Sequence, residues 1–374
     1  MGHLTPLGII MFVTRIAMVL SYLFLTPIAD ALGSARFYAL ASIISCFLNL
    51  IILINMYVYG IVLFLLLPML AVYAAFYALV PLTMDAMIPS IFSEKILMVD
   101  SIIRASKYAS LTLPMLWAVV FDMLGALNSL MILGSAFLAI LVSTLVFLAL
   151  KHDTLANPHV EDLSFYKYLS LRSVGEGFKI ILRESWMLKL ILYLSLNIVA
   201  STAVFIYIVA IADIVIGPQA YAYSIPLIML GMAATAGATI SPKFIRKISV
   251  VLIIVVSIIA YFLLMLILAI GIINRDPLTT LLTLACYGFF SGVSDVAITY
   301  LYQLLISEHI RARIFGLRSI IVTAVSAVSS YISSLLSDGL GLGLSLIVLS
   351  MIHPLSATLL LRDRANIFAR VGYK

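Results

Sequence analysis

Two ionisable side chains, Arg15 and Asp295, lie deep inside long apolar runs, where charge is expensive and therefore informative. Arg15 falls near the middle of Leu7–Ala29. A charge at that depth costs at least about 2.5–3.5 kcal/mol on the insertion scale, so its guanidinium must face protein or water. It could anchor an anionic solute, balance a proton-carrying acid, or bond to a neighbouring helix. Asp295 shares a helical face with Ser291, Thr299 and Tyr302. Low dielectric disfavours a carboxylate's charged form, which suits a proton-coupling site. The bland reading is a carboxylate hydrogen-bonded to those hydroxyls. Tyr73 and Tyr77, four apart, and Asn197 among Ser195, Ser201 and Thr202 are further polar groups in apolar runs. They could touch a solute, though such groups more often bond between helices.

The elements that must position these groups are eleven apolar segments. They are Leu7–Ala29, Phe37–Tyr57, Gly60–Thr83, Ile102–Leu124, Ser129–Leu150, Met187–Ala212, Ala222–Ile240, Ser249–Ile273, Leu278–Ile306, Ile314–Leu336 and Leu340–Leu361. About 20 helical residues cross a hydrocarbon core of roughly 30 Å, and each run is of about that length. Twenty of the 22 Lys and Arg residues fall in or beside alternate gaps. Cytoplasmic loops carry such an excess, so the C-terminus is expected in the cytoplasm and Met1 outside. The expected fold is an all-α polytopic membrane protein embedded in the lipid bilayer of the cell membrane.

The chain is 64% hydrophobic and only 10% charged, with a mean hydropathy of +1.22. That excludes an ordinary soluble globule, which carries about 25% charge. Continuous apolar runs also exclude a β-barrel, whose strands alternate. The net charge of +6 resides in the loops and describes orientation, with no nucleic-acid module beside it. No phosphate-binding glycine loop, paired-His metal motif or Gly-x-Ser-x-Gly elbow occurs, so no catalytic residue, metal or cofactor is expected. The five histidines are scattered, and Cys46 and Cys286 lie inside apolar helices.

The organisation is expected to be two helical halves, 1–150 with five crossings and 187–374 with six. Between them, 151–186 forms a polar linker. Within it, Val174, Phe178, Ile181 and Leu182 recur at helical spacing, which fits a short interfacial helix. A weak echo joins the halves. The turn Thr26–Arg36 after the first crossing resembles Gly237–Lys247 after the seventh, so crossing one corresponds to crossing seven. The tenth crossing carries Ser326, Ser330, Ser333, Ser334 and Ser337 largely on one face, and Gly288 and Gly292 form a small-xxx-small pair. Both suit close helix packing. Pro68, Pro81, Pro114, Pro226 and Pro354 are expected to mark kinks.

At Ile28, Ala29, Asp30, Gly33 and Arg36 the chain resembles the signature loop of the major facilitator superfamily, with Thr26 in place of its leading Gly. Tyr77–Ser101, Arg172–Leu190 and Arg311–Gly316 resemble segments of its siderophore and drug exporter branch. The resemblance implies a secondary active transporter, coupled to protons and exporting a small organic solute by alternating access. It also implies that the chain begins at the family's second helix. The alternative is a non-transporting scaffold or partner protein derived from a transporter without that first helix. By resemblance, Asp30 faces the N-terminus of a helix beginning near Ile314, and Arg311 and Arg313 form the basic turn before that helix; Arg36 could pair with Asp85 at the cytoplasmic end of the third crossing. These five are candidate conformational latches.

Overall fold

A computed structural model describes residues 4–32, 34–59, 63–91, 95–122, 178–179, 181–217, 224–306 and 308–362. Every regular element among them is a helix. We number them α1 (Thr5–Leu32), α2 (Ser34–Tyr59), α3 (Leu63–Ile91), α4 (Ile96–Asp122), α5 (Ser185–Val215), α6 (Ser224–Ile245), α7 (Val250–Ile273), α8 (Pro277–Leu305), α9 (Glu308–Leu340), α10 (Leu342–Ser350) and α11 (Ile352–Arg362). Six described stretches are long and apolar enough to span a membrane, namely Thr5–Leu25, Trp186–Val215, Ser224–Ile245, Val250–Ile273, Pro277–Leu305 and Ile314–Leu340. The expected fifth crossing, Ser129–Leu150, and most of the linker lie outside the described residues. Of the interfacial segment, positions 178–179 and 181–183 are helical; Ile181 is buried while Phe178, Lys179, Leu182 and Arg183 are exposed.

Helix α7 shows how apolarity on every side is shared between core and lipid. Val250, Ile254, Ile258, Tyr261, Met265, Leu268 and Ile272 are buried on one face. Leu252, Val256, Ile259, Leu263, Ile267, Ile270 and Ile273 are exposed on the other, which is the outer wall of a membrane bundle. The cationic turn Arg246–Lys247 between α6 and α7 marks one end of the bundle, here the basic end.

The sequence boundaries need correction at several ends. Asp30 lies inside α1, Arg36 inside α2, and Asp85 six residues within α3. Helix α9 begins at Glu308 rather than Ile314, so Arg311 and Arg313 are in its first two turns and not in a preceding loop. Basic side chains extend along an apolar helix surface to reach water, so they need not end the helix. The side chains of Asp30, Arg36, Asp85, Arg311 and Arg313 are not among the described features.

Prolines act differently from one another. Pro226 sits in the first turn of α6, where a missing N–H is harmless and no kink follows. Pro354 lies near the start of α11, and the eleventh crossing is interrupted there, with a turn at Met351 between α10 and α11. Pro242 lies inside α6, past the expected end at Ile240, and cannot donate to the carbonyl of Ala238. The hydroxyl of Ser101 in α4 donates to that oxygen instead, at 2.8 Å. A proline that would otherwise orphan a buried carbonyl thereby ties α4 to α6.

Two apolar clusters stack along the bundle. One, nearer the basic end, includes Trp186, Leu190, Ile245, Ile254, Leu301 and Phe315. The other includes Leu4, Tyr207, Ile211, Leu268, Leu284 and Leu346. Polar bridges include Thr202 with Ser326 at 2.8 Å and Tyr287 donating to Ser201 at 3.0 Å. Glycines permit the closest approach. An added Cβ at Gly288 or Gly292 on α8 would overlap the carbonyl oxygens of Leu230 or Ala234 on α6, and one at Gly237 would overlap that of Phe289. The serine face of α9 is buried against α5 and α1, where Tyr207 donates to Ser333 O at 2.7 Å and Gly8 abuts Ser334.

Candidate functional site

Three helices converge at one depth inside the basic end. Arg104 is about 12 Å in from the start of α4, while Asp295 and Arg318 are each about 15 Å from the α8 and α9 ends there, at 1.5 Å per residue. Tyr108 donates to Asp295 Oδ2 at 3.2 Å. Arg104 Nη1 and Lys107 Nζ lie 3.9 and 4.0 Å from the same oxygen. One turn earlier on α4, Asp100 sits 3.5 Å from Arg104 Nε, and both are buried. Arg318 of α9 is near enough to act on Asp295 electrostatically. It lies over the rings of Tyr302 and Phe315, 4.7 and 5.7 Å from their centroids. The cluster therefore joins α4, from the first half of the chain, to α8 and α9 from the second.

The sequence offers Asp295 either a proton-coupling role or bonds to the hydroxyls on its own helical face. Its partners are cations and a phenol from α4, far away in sequence. Thr299 and Tyr302 share its helix, but their hydroxyls are buried without a hydrogen-bond partner among the described residues. Arg104 and Lys107 belong to the Lys/Arg pattern of alternate gaps, which by itself reports only orientation. Position 104, 107 and 108 on α4 offered no local signal of α8, since helical spacing reports one helix at a time.

The other candidates are dispersed. Arg15 lies on the inward stripe of α1, Gly8–Met11–Arg15–Met18–Tyr22–Leu25. Met11 packs on one apolar cluster and Met18 on the other, so Arg15 stands between them. Tyr73 and Tyr77 stack with centroids 5.5 Å apart on α3, a helix packed chiefly on α1 and α2. Asn197 is committed to an interhelical network rather than presented to the charged cluster. Its Nδ2 donates to Tyr193 O at 3.1 Å and Ser356 Oγ at 3.3 Å, and its Oδ1 is 2.8 Å from Nδ1 of His353.

That network exposes a residue the sequence did not single out. His353 is fully buried, with Nε2 3.2 Å from Met265 Sδ and its ring 5.4 Å from that of Tyr261. It pins the interrupted α10–α11 segment to α5 and α7. Replacing His353 with Leu strands the carbonyl oxygen of Asn197, and a thermal denaturation series in detergent should show a loss of about 1–2 kcal/mol. Stability equal to the parent's would show that the network carries no weight. Its only sequence signal was that, unlike the other four histidines, His353 falls inside an apolar run, Leu340–Leu361.

At the opposite end, outside any crossing, Asp276 caps α8. Its carboxylate accepts from the Leu278 and Thr279 N–H groups, and bonds from Thr279 hold its carboxyl below the usual range.

A bundle of this kind, with charged partners drawn from both halves to one buried level, leads to comparison with known proteins. The profile of the Major Facilitator Superfamily matches residues 3–330. The chain belongs to this superfamily. Among solved structures, the human organic anion transporter MFSD10 (TETRAN) is similar, with TM-score 0.73 and 14% identity over 94% of this chain and 83% of that one. The proton:xylose symporter XylE bound to 6-bromo-6-deoxy-D-glucose gives TM-score 0.69 and 10% identity over 95% and 85%. At these identities the likeness is one of fold. No curated protein sequence matches. The superfamily member described here is thus an all-α, multi-pass membrane protein of a transporter family.

Proposed function

We propose that this superfamily member is a proton-coupled exporter of a small organic solute, of the siderophore and drug exporter branch, working by alternating access in the plasma membrane. The basic end faces the cytoplasm in this reading, by the Lys/Arg rule. The halves are 1–150 and 187–374, joined by 151–186, and α1 stands in the place of the family's second helix. Supporting this division, α1 packs on α9 and α4 packs on α6. If α1 corresponds to α6 and α4 to α9, a two-fold exchange turns one pairing into the other. Parallel repeats related in this way rock about the axis between them.

The observation that carries the proposal is the bond set from Tyr108, Arg104 and Lys107 of one half to Asp295 of the other. In this arrangement the two cations favour the ionised carboxylate; as they draw away a proton can take their place, and it removes the charge that holds them across the interface. A proton can then change how firmly the halves are joined, which is what coupling requires. Arg15, Tyr73 and Tyr77 remain candidates for solute contact, and Asp30, Arg36, Asp85, Arg311 and Arg313 for the cytoplasmic latch.

The test uses everted membrane vesicles with an acidified lumen and a panel of radiolabelled small organic acids, amines and neutral compounds. Accumulation of at least one compound, abolished by a protonophore, is the expected result. Flux indifferent to the proton gradient would reject the coupling, and flux running only towards the cytoplasmic side would reject export.

A further inference from the structure

At the end of the bundle remote from the Lys/Arg-rich turns, a carboxylate of the second half caps a helix of the first. Helix α1 starts at Thr5, and its earliest backbone N–H groups have no intrahelical partner. Asp338, in the last turn of α9, supplies one. Leu4 N donates to its Oδ1 at 2.9 Å and Thr5 N to its Oδ2 at 3.1 Å, while the Thr5 hydroxyl donates to Oδ2 as well. Capping by a neighbouring element is unusual, because a residue adjacent in sequence ordinarily does it.

The surroundings make this contact a seam between the halves. Below it, Gly8 of α1 sits directly on Ser334 and the Ser330 carbonyl of α9, and Phe12 faces Tyr331 with ring centroids 6.4 Å apart. Beside it opens a cavity of 540 Å³ lined by Leu4, Leu7, Asp213, Ile214, Asp338 and Leu342, among others. Water entering there reaches the carboxylate, which is exposed, whereas Ser334 beneath is fully buried.

We infer that Asp338 is an outer gate latch, holding the exterior end shut through the N-terminus of α1 and releasing it when its carboxylate is lost or protonated. The inference rests on the alternating-access reading above. A carboxylate complements the positive end of a helix, and protonation removes that charge and converts one acceptor oxygen into a hydroxyl. The helix end favours the charged form, so the latch is expected to hold at every pH above the ordinary carboxylate range. Among the described residues, the other titratable groups facing this point are Asp213 and Tyr207, both from α5; α1 and α10 contribute none.

The experiment places a single cysteine at Ser334, with Cys46 and Cys286 replaced by Ser, in right-side-out vesicles. The rate of labelling by a membrane-impermeant maleimide-free thiol reagent, methanethiosulfonate, is read between pH 5 and pH 8. In the parent, labelling after correction for the reagent's own pH dependence should stay low across this range. Asp338→Ala, which removes the cap, should label about fivefold faster, the opening expected from losing about one cap, whereas Asp338→Asn, a comparable capping residue, should fall between the two. Labelling of Asp338→Ala at the parent's rate overturns the latch. Solute flux measured in the same vesicles separates the two ideas. Flux without the labelling change refutes the latch alone, and the labelling change without flux supports the latch and counts against the transport reading.

Discussion

Gly292→Leu is expected to be the most damaging single substitution described for this bundle, at about 3 kcal/mol or more of lost stability. The reason is what the new side chain meets. An added Cβ at Gly292 would overlap Ala234 O and crowd Ala238 N, both backbone atoms of α6. Flexible side chains can swing aside, but backbone can yield only by moving a whole helix. Gly288 and Gly237 repeat the contact, so α6 and α8 are joined at three successive levels. In a bilayer, helices are held by such close packing rather than by exclusion of water. Separating α6 from α8 also disturbs α4, which packs on both. The control is Gly339→Leu, where an added Cβ meets nothing within 4 Å. Thermal denaturation in one detergent should show Gly339→Leu within about 0.5 kcal/mol of the parent. Equal effects of the two variants would contradict the packing argument.

Asp295→Asn is expected to lower gradient-driven flux about a hundredfold, or roughly 3 kcal/mol, with the protein still folded. Asparagine carries no titratable proton, so the gradient has nothing to act on at the joint between position 295 and the cations that stand 3.9 and 4.0 Å from Asp295. Asparagine can still accept from Tyr108, so a merely structural role for the hydroxyl bond would leave flux nearly intact. Asp295→Glu, which retains the charge, should keep a gradient response. Gradient-dependent flux at the parent's level in Asp295→Asn would remove the residue as the coupling group.

Features written along a single helix were legible in the sequence. The apolar run of α7, the buried serine face of α9 and the Gly288–Gly292 pair all follow from residue type and spacing. Features that depend on two helices meeting were not. Asp295 was conspicuous, yet nothing near it indicated Arg104 and Lys107, which are separated from it in sequence by the linker and all of α5, α6 and α7. The bond from Ser101 to Ala238 O requires knowing that α4 lies beside the proline-bearing turn of α6. Asp338 gave no signal as a cap, because the helix it caps begins more than 300 residues earlier. Helix ends were misplaced for a related reason: Pro242 reads as a stop until the carbonyl it orphans finds an outside donor. Even His353 is legible only as a buried group once α5 and α7 surround it.

Spin labels at Met98 on α4 and Leu304 on α8, both exposed near the basic end, report directly on the joint between the halves. Their separation should be measured by double electron–electron resonance in nanodiscs at pH 5 and pH 8, with and without Asp295→Asn. Two distances whose populations exchange with pH in the parent, and no longer do so in Asp295→Asn, are predicted. One unchanging distance under all four conditions would contradict a proton-controlled joint between rocking halves.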